Sequence, residues 1–291
     1  MIEKNQIEAA VAAAAHKVRE TNPMAGSITN TVTIDFVANA QLAVGGSAAM
    51  VYLPDEGEAL VAAGNAVYLN MGTLFPIYEQ TIPATAKAAH DAGKAWVLDP
   101  VGLGIGSLRT KLLEELKPYK PTIVRGNASE IIALASLWDL LGAANDLDRA
   151  RGVDSTDGVD AARAAAVALA RYTGGAVVVS GEVDLVTDGT TVVRSHGGSE
   201  LMSKITGCGC SQGGVLAVYA TCADAFTAAV AGTCADAFTA AVAGTAHYNL
   251  AGTRAAAVAT APASFKVAFI DELYRATGEE IAANPMCVEE A

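Results

Sequence analysis

The chain has 291 residues, of which 52% are hydrophobic and 17% are charged, which is enough to bury the core of one large or two modest globular domains. Its formal net charge of -12 argues against a nucleic-acid-binding surface, because a polyanion would be repelled by most of the protein. An anionic small-molecule substrate would need local cations or a metal ion.

The sequence also indicates a cytoplasmic protein. We find no apolar run long enough to cross a membrane, and the first residues lack the basic-then-apolar order of a signal peptide. The five cysteines are odd in number and unevenly spaced, so we expect free thiols rather than a disulfide framework.

The N-terminal part reads as two helices. Residues 3–20 place apolar side chains at three- and four-residue spacing, and Pro23 and Gly26 end this pattern. A second helix is predicted to run to about Val44. Thr29 or Asn30 stands just before it and could serve as its N-cap.

A repeated order of short apolar run, turn and amphipathic helix follows. Strands without polar alternation are buried on both faces, so this order predicts an α/β fold with a mostly parallel sheet covered by helices. The predicted strands are residues 49–52, 66–69, 95–98 and 122–124, and the predicted helices are residues 58–63, 76–92, 107–116 and 128–137.

Polar clusters follow three of these strands. They are Asn70-Met71-Gly72-Thr73, Asp99-Pro100-Val101-Gly102 and Arg125-Gly126-Asn127-Ala128-Ser129-Glu130. Ligands of such sheets bind beyond the carboxyl ends of the strands. The two carboxylates and the arginine therefore predict one polar site at this edge.

The second half continues the same domain, which we expect to span residues 1–291. Residues 145–158 read as a polar surface loop, and a helix over 159–172 leads to a strand at 176–180. Residues 184–193 predict a hairpin around an Asp-Gly turn, which gives the sheet an antiparallel edge. A last amphipathic helix is predicted over 265–276.

Residues 205–214, with the sequence ITGCGCSQGG, join a glycine-rich turn to a long run of small residues. Glycines let backbone N–H groups converge on a ligand, and a helix that begins there directs the positive end of its dipole to the same point. The stretch is therefore either an anion site or a tight turn that enters a packed helix.

A twelve-residue segment, residues 221–232, is repeated without change as residues 233–244. One identical tandem copy is not a solenoid. If both copies were helical, the second would lie roughly 18 Å further on and turned by about 120°. We therefore expect an irregular extension or a projecting hairpin rather than one straight buried helix.

These features together suit phosphoryl transfer, in which catalysis is mostly positioning and electrostatic stabilisation. They are the anion site, an Asp and a Glu at strand ends, and a nearby Arg. Neither a P-loop nor a dinucleotide-binding fingerprint occurs; residues 102–106 come nearest, but their glycine spacing is wrong.

The order of the motifs resembles that of hydroxyethylthiazole kinases, of the ribokinase-like superfamily, over nearly the whole chain. Each motif is short, but their shared order makes the resemblance specific. The matching segments are residues 28–30, 70–74, 98–102, 125–131, 152–155, 181–184, 204–210 and 264–274. The resemblance implies a ribokinase-like three-layer α/β/α fold.

The resemblance also implies ATP-dependent phosphorylation of the primary alcohol of 4-methyl-5-(2-hydroxyethyl)thiazole in thiamine salvage, by a homotrimer with active sites between subunits. Ser180 stands where the family has threonine and keeps the hydroxyl. The implied site residues are Gly207, Gly209 and Cys210 for catalysis, Met50, Asn30 and Gly207 for the thiazole, Arg125, Ser180 and Asn127 for ATP, and Glu130 and Asp99 for Mg²⁺.

Cys210 stands where most ribokinase-like enzymes carry an aspartate base. A helix N-terminus can lower the pKa of a thiol, which would make Cys210 a proton acceptor, or the thiol could only position the alcohol. A third interpretation is a metal site formed by Cys208 and Cys210. Such a site needs further ligands, and the nearest candidate in the sequence is His196.

Two other functions remain compatible with the sequence. One is a ribokinase-like kinase for a related alcohol, such as a hydroxymethylpyrimidine. The other is a non-catalytic small-molecule-binding scaffold in which the duplicated segment has disturbed the site or the oligomer.

Overall fold

The computed structural model describes residues 3–142, 158–226 and 237–291. Its described strands form one nine-stranded sheet. They are Met24–Ile28 (β1), Ser47–Met50 (β2), Ala66–Asn70 (β3), Ala95–Asp99 (β4), Ile123–Asn127 (β5), Ala176–Ser180 (β6), Asp184–Thr187 (β7), Thr191–Ser195 (β8) and Met286–Glu290 (β9).

The strand order is β2-β1-β3-β4-β5-β6-β7-β8-β9. The pairs from β2 to β6 are parallel, and the pairs from β6 to β9 are antiparallel. The predicted mostly parallel sheet with an antiparallel edge hairpin is confirmed.

The described α-helices cover both faces of this sheet. They are Lys4–Thr21 (α1), Ile34–Ala43 (α2), Pro54–Ala63 (α3), Tyr78–Asp91 (α4), Ser107–Leu116 (α5), Ala128–Leu137 (α6), Arg163–Thr173 (α7), Cys208–Phe226 (α8), Ala237–Val258 (α9), Pro262–Arg275 (α10) and Gly278–Ala282 (α11). Short 3-10 helices lie at Lys117–Tyr119, Val159–Ala162 and Glu200–Lys204.

Alternate residues of the central strands face two different cores. Tyr68 of β3 packs with α1, α2 and α8–α11, whereas Leu69 packs with α3–α7. This division produces three layers, helix, sheet and helix, as expected for a strand that is buried on both faces. None of the described helices combines the length and apolar character needed to span a membrane.

Two strands were missed by the sequence interpretation. Pro23 and Gly26 read as helix breakers, yet Gly26 lies inside β1, where a Cβ atom would stand 2.5 Å from Leu60 Cδ1 of α3. Glycine in this strand thus permits close packing of a helix rather than a turn. The second missed strand, β9, pairs with β8 and lies beyond the predicted hairpin at the sheet edge.

The described parts of the duplicated segment lie in two separate helices. The first copy begins in the last turns of α8, and the second copy ends in the first turns of α9. The helices pack side by side, since a Cβ atom at Gly244 would stand 2.9 Å from Leu216 Cδ2. One straight helix through both copies is therefore excluded. The projection that we expected from the repeat falls largely on residues 227–236, which lie outside the described residues. The polar loop predicted at 145–158 also lies almost wholly outside them.

Candidate active site

The polar clusters that follow the strands meet at one edge of the sheet. Asn70 and Asp99 are register partners at the ends of β3 and β4, and Asn127 and Ser180 are partners at the ends of β5 and β6. Because these strands are parallel, their carboxyl ends lie side by side. The polar clusters thus meet at one edge of the sheet, as the order of strands predicts.

Arg125 lies near the centre of this edge and is only 7% exposed. Its guanidinium donates to Ser180 Oγ over 2.6 Å and to Gln212 Oε1 over 2.9 Å. Its Nη1 atom lies 3.5 Å from Asp99 Oδ2. A buried cation is stable only with such partners, so the arginine is held in one orientation.

Asp99 is fully buried beside this cation. Tyr68 donates its hydroxyl proton to Asp99 Oδ2 over 2.9 Å, whereas Oδ1 is buried without a hydrogen-bond partner. Burial raises the pKa of Asp99 to about 6, against the opposing effect of Arg125, and the charge of Glu130 acts in the same direction as burial. An unsatisfied buried carboxylate oxygen is costly and marks a place for a cation or a donor.

Glu130 lies in the first turn of α6 and is 5% exposed. Its Oε2 accepts from Asn127 N over 2.9 Å, and Asn127 Oδ1 accepts in return from Glu130 N over 2.9 Å. Its Oε1 accepts from Gly102 N over 3.1 Å. This reciprocal capping fixes the carboxylate and leaves each oxygen able to accept one more interaction.

Asp99 and Glu130 together fit a magnesium ion better than a softer metal. Mg²⁺ is usually held by one or two carboxylates with water and phosphate oxygens. Within the described ranges, no group of three or more His, Cys, Asp or Glu side chains is placed to hold a metal. The interpretation of Cys208 and Cys210 as a metal site is therefore not supported by the described residues.

The glycine-rich stretch forms the turn at the N-terminus of α8. Gly207 has a φ of +97°, and a Cβ atom there would stand 2.8 Å from Thr33 Cγ2. A Cβ atom at Gly209 would stand 2.6 Å from Arg125 Nη1. These glycines thus let the helix start approach α2 and the arginine, with its free N–H groups at the same edge as the strand ends.

Cys210 is buried in the first turn of α8, and its Sγ accepts from Asn30 Nδ2 over 3.3 Å. Asn30 Nδ2 also donates to Asn70 Oδ1 over 3.0 Å. Burial raises the pKa of Cys210, and the charge of Asp99 acts in the same direction. This direction is opposite to the lowering that a helix start can produce, and it favours the alternative in which a neutral thiol positions the alcohol.

Met50 ends β2, the outermost parallel strand, and pairs in register with Ser27 of β1. It is partly buried against the core that also contains Cys210. Asn30 follows β1, so two of the three predicted thiazole-binding residues, Met50 and Asn30, lie at the β1–β2 side of the edge. Of these two, Asn30 contacts Cys210 through a hydrogen bond.

A cavity of about 1480 Å³ opens beside the α8 N-terminus, on the side away from Cys210. Four of the predicted site residues line it, namely Arg125, Asn127, Ser180 and Gly209. The other predicted site residues do not line this cavity; they are Gly207, Cys210, Asn30, Met50, Asp99 and Glu130. The start of α8 therefore separates a wide cavity from a smaller polar cluster around Cys210.

Three residues that organise the site were missed by the sequence interpretation. Tyr68 joins Asp99 to Asn70, whose Nδ2 donates to the phenol oxygen over 2.9 Å. Gln212 joins Arg125 to Asp184. Thr33 contacts the position of Gly207, and its hydroxyl is buried without a hydrogen-bond partner. For Tyr68 alone a signal existed, because it stands two residues before Asn70 and shares its strand face.

The sequence model of the hydroxyethylthiazole kinase family matches residues 15–279. This chain belongs to the hydroxyethylthiazole kinase family. The resemblance drawn from the ordered motifs is thereby confirmed, and membership of a kinase family makes the chain a phosphotransferase.

Individual relatives cover nearly the whole chain. It is 45% identical to a hydroxyethylthiazole kinase of Bifidobacterium longum over 96% of this chain and 90% of that protein. It is 40% identical to a hydroxyethylthiazole kinase of Cereibacter sphaeroides over 91% and 93%.

Solved structures agree with the fold. The structure of a hydroxyethylthiazole kinase from Pyrococcus horikoshii OT3 superposes with a TM-score of 0.81 and 28% identity, covering 97% of this chain and 98% of that chain. A pyridoxal kinase from Staphylococcus aureus, solved in complex with ADP, superposes with a TM-score of 0.58 and 15% identity over 92% and 99%. The ribokinase-like three-layer fold is confirmed.

Proposed function

We propose that this chain transfers the γ-phosphoryl group of ATP to the primary alcohol of 4-methyl-5-(2-hydroxyethyl)thiazole, a step of thiamine salvage. The observation that carries the proposal is the position of the α8 N-terminus. It lies between a cavity wide enough for a nucleotide and the polar cluster around Cys210.

The cavity side suits ATP. Arg125, Asn127 and Ser180 lie on its wall, and Gly209 brings the N–H groups of the α8 start to the same wall. Backbone N–H groups at a helix N-terminus favour phosphate oxygens. In this assignment the γ-phosphoryl group lies at Gly207 and Gly209, which stabilise the charge on its oxygens during transfer.

The opposite side suits the alcohol. Its hydroxyl oxygen attacks the γ-phosphorus, the bond between that phosphorus and the bridging oxygen breaks, and ADP and a proton leave. Asn30, Met50 and Gly207 hold the thiazole in this proposal. The thiol of Cys210 stays neutral and positions the hydroxyl, because burial raises its pKa. A loose transition state needs little help from a base.

Glu130 and Asp99 are the residues that would hold Mg²⁺, in part through water. When bound, the ion would neutralise charge on the phosphate oxygens. The unpartnered Asp99 Oδ1 and the fixed Glu130 carboxylate support this assignment. Arg125, which touches Asp99, would link the metal side to the nucleotide side.

We further propose a cytoplasmic homotrimer with active sites between subunits. Met50 lies on an edge strand, and exposed apolar side chains lie near that edge at Val32, Leu42 and Leu53. A neighbouring subunit that covers this edge would complete the thiazole side.

The test is ATP consumption by the purified protein with the thiazole alcohol or with a hydroxymethylpyrimidine, together with the particle mass in solution. We expect turnover with the thiazole alcohol and the mass of three chains. Turnover of the pyrimidine alone would support the related kinase instead. A protein that binds both ligands without turnover would support the non-catalytic scaffold.

A further inference from the structure

The cavity beside the α8 N-terminus is lined by three lysine and arginine side chains among the described residues, namely Arg125, Arg194 and Lys204. Exposed carboxylates of Glu182 and Glu200 lie on the same wall and repel an anionic ligand. Because the protein carries a net charge of -12, binding of an anion here depends on whether any of these cations is uncompensated.

Two of the three cations are already compensated by the protein. Arg125 faces Asp99 and also donates to Ser180. Arg194 pairs with Asp160, and its Nε lies 3.1 Å from Glu289 Oε1. The charges of both arginines are thus matched by carboxylates of the chain.

Lys204 is different. In the described part of the chain its ammonium group has no hydrogen bond and no ion pair, and its side chain is exposed on the cavity wall. It stands three residues before Gly207, so its backbone lies within about 10 Å of the glycine turn. A lysine with a free ammonium group at this distance can reach an anion bound at the helix start.

The backbone at Lys204 is held in place by neighbouring elements. The 3-10 helix Glu200–Lys204 is capped by Ser199, whose Oγ accepts from Leu201 N over 3.2 Å. Met202 packs so closely on α9 that a Cβ atom at Gly252 would stand 2.8 Å from its Sδ. These contacts anchor the segment that carries Lys204 to α9 and to the Ser199 cap.

We propose that Lys204 is a nucleotide-binding residue that contacts the terminal phosphates of ATP. The inference rests on the proposed function, because that function places ATP in this cavity with its reacting end at Gly207 and Gly209. Lys204 supplies the positive charge that the two compensated arginines do not.

The test compares the binding of ADP and AMP by titration calorimetry to wild type and to Lys204→Met. The methionine keeps an unbranched stem and removes the charge. We expect the Kd of ADP to rise about 10- to 100-fold, the range for a hydrogen bond to a charged group, while the Kd of AMP changes less than about threefold. Lys204→Arg should restore most of the ADP affinity.

The matched control is Lys87→Met, which removes the same charge from the exposed face of α4, where Lys87 pairs with Asp91. Its affinity for both nucleotides should equal that of wild type. If Lys204→Met binds ADP as wild type does, or if it loses AMP and ADP affinity equally, the assignment of Lys204 to the terminal phosphates is wrong. If wild type itself binds no ADP, the proposed function fails instead.

Discussion

Gly209 lies directly against the guanidinium of Arg125, and a Cβ atom at this glycine would stand 2.6 Å from Nη1. The arginine cannot easily move away, because Ser180, Gln212 and Asp99 hold it from the other side. The start of α8 and the end of β5 are thus coupled through this one contact.

Gly209→Ala is therefore expected to damage activity more than stability. The added methyl group displaces Arg125 or the helix start, so kcat/KM should fall at least about tenfold, while the free energy of unfolding falls by about 1–3 kcal/mol. Steady-state kinetics and urea unfolding measure the two effects. The control is Gly142→Ala, where no atom of the described residues lies within 4 Å of the added Cβ. Wild-type kinetics in the Gly209 variant would contradict the coupling.

Cys210→Ala should slow the enzyme without abolishing activity. Burial raises the pKa of this thiol, so it is neutral at working pH and contributes position rather than proton transfer. We expect kcat/KM to fall by about tenfold or less, the scale of one neutral hydrogen bond, with an unchanged pH profile. Complete loss of activity, or loss of an ionisation from the profile, would show that the thiol acts as a base.

Glu130→Ala should cost far more than Cys210→Ala. It removes a fixed carboxylate that we assign to the metal, and loss of such electrostatic stabilisation costs about 100-fold or more in kcat. It also removes one half of the helix cap, which lowers the free energy of unfolding by about 1 kcal/mol. Rates measured across a Mg²⁺ titration provide the check. Rates equal to those of wild type at saturating Mg²⁺ would remove Glu130 from the metal site.

Much of this site follows from sequence because strand ends in a parallel sheet share one edge. Asp99, Arg125 and Glu130 follow recognisable apolar runs, so their proximity is predictable from the order of elements. Tyr68 and Gln212 lie inside a strand and a helix instead. The role of Gln212 arises from contacts between distant segments, which no local pattern contains. Tyr68 could have been found only from its spacing to Asn70 on the same strand face.

The fold was predictable to a similar degree and for the same reason. Central strands such as β3 and β4 are continuous apolar runs, whereas β1 contains a glycine that is explained only by the helix packed over it. The edge strand β9 carries charged residues and is recognisable only once β8 is in place. The pKa of Cys210 also needed the structure, because burial opposes the effect of the helix start.

Asp99→Asn is expected to inactivate the enzyme and to remove one pH-dependent contribution to the stability of the ligand-free protein. The pKa of Asp99 is raised from 3.8 to about 6 by burial, so the folded state holds this proton more tightly than the unfolded state. Ionisation of Asp99 then lowers the free energy of unfolding as pH rises from 4 to 6. Asparagine does not ionise, so the variant lacks this pH dependence, and Arg125 loses its charged partner at every pH.

Urea unfolding without nucleotide or metal measures the difference. Between pH 4 and pH 6, the free energy of unfolding of wild type should decrease relative to that of Asp99→Asn, whichever protein is more stable at pH 8. Asp91→Asn, a change at an exposed carboxylate of α4, serves as the control. Parallel pH dependences of wild type and Asp99→Asn between pH 4 and pH 6 would mean that the pKa of Asp99 is not raised in the native protein.

The buried residue His247 should make the free energy of unfolding depend on pH in the direction opposite to that of Asp99. It is fully buried in α9, where Nε2 lies 2.8 Å from the carbonyl oxygen of Leu273 and Nδ1 lies 2.8 Å from the hydroxyl of Tyr219. A carbonyl oxygen only accepts, so Nε2 carries the proton and Nδ1 accepts from Tyr219. This neutral ring joins α8, α9 and α10 just beyond the second copy of the repeated segment.

Burial lowers the pKa of His247 from 6.5 to about 3, so the unfolded chain binds a proton that the folded chain refuses. The free energy of unfolding should therefore fall as pH decreases from 6.5 toward 3, by about 1.4 kcal/mol per pH unit from this residue.

His247→Gln should be less stable at pH 7, because the Tyr219 and Leu273 contacts change, but its stability should decline less steeply between pH 6 and pH 4. Parallel slopes for wild type and His247→Gln would mean that His247 is protonated in the native protein.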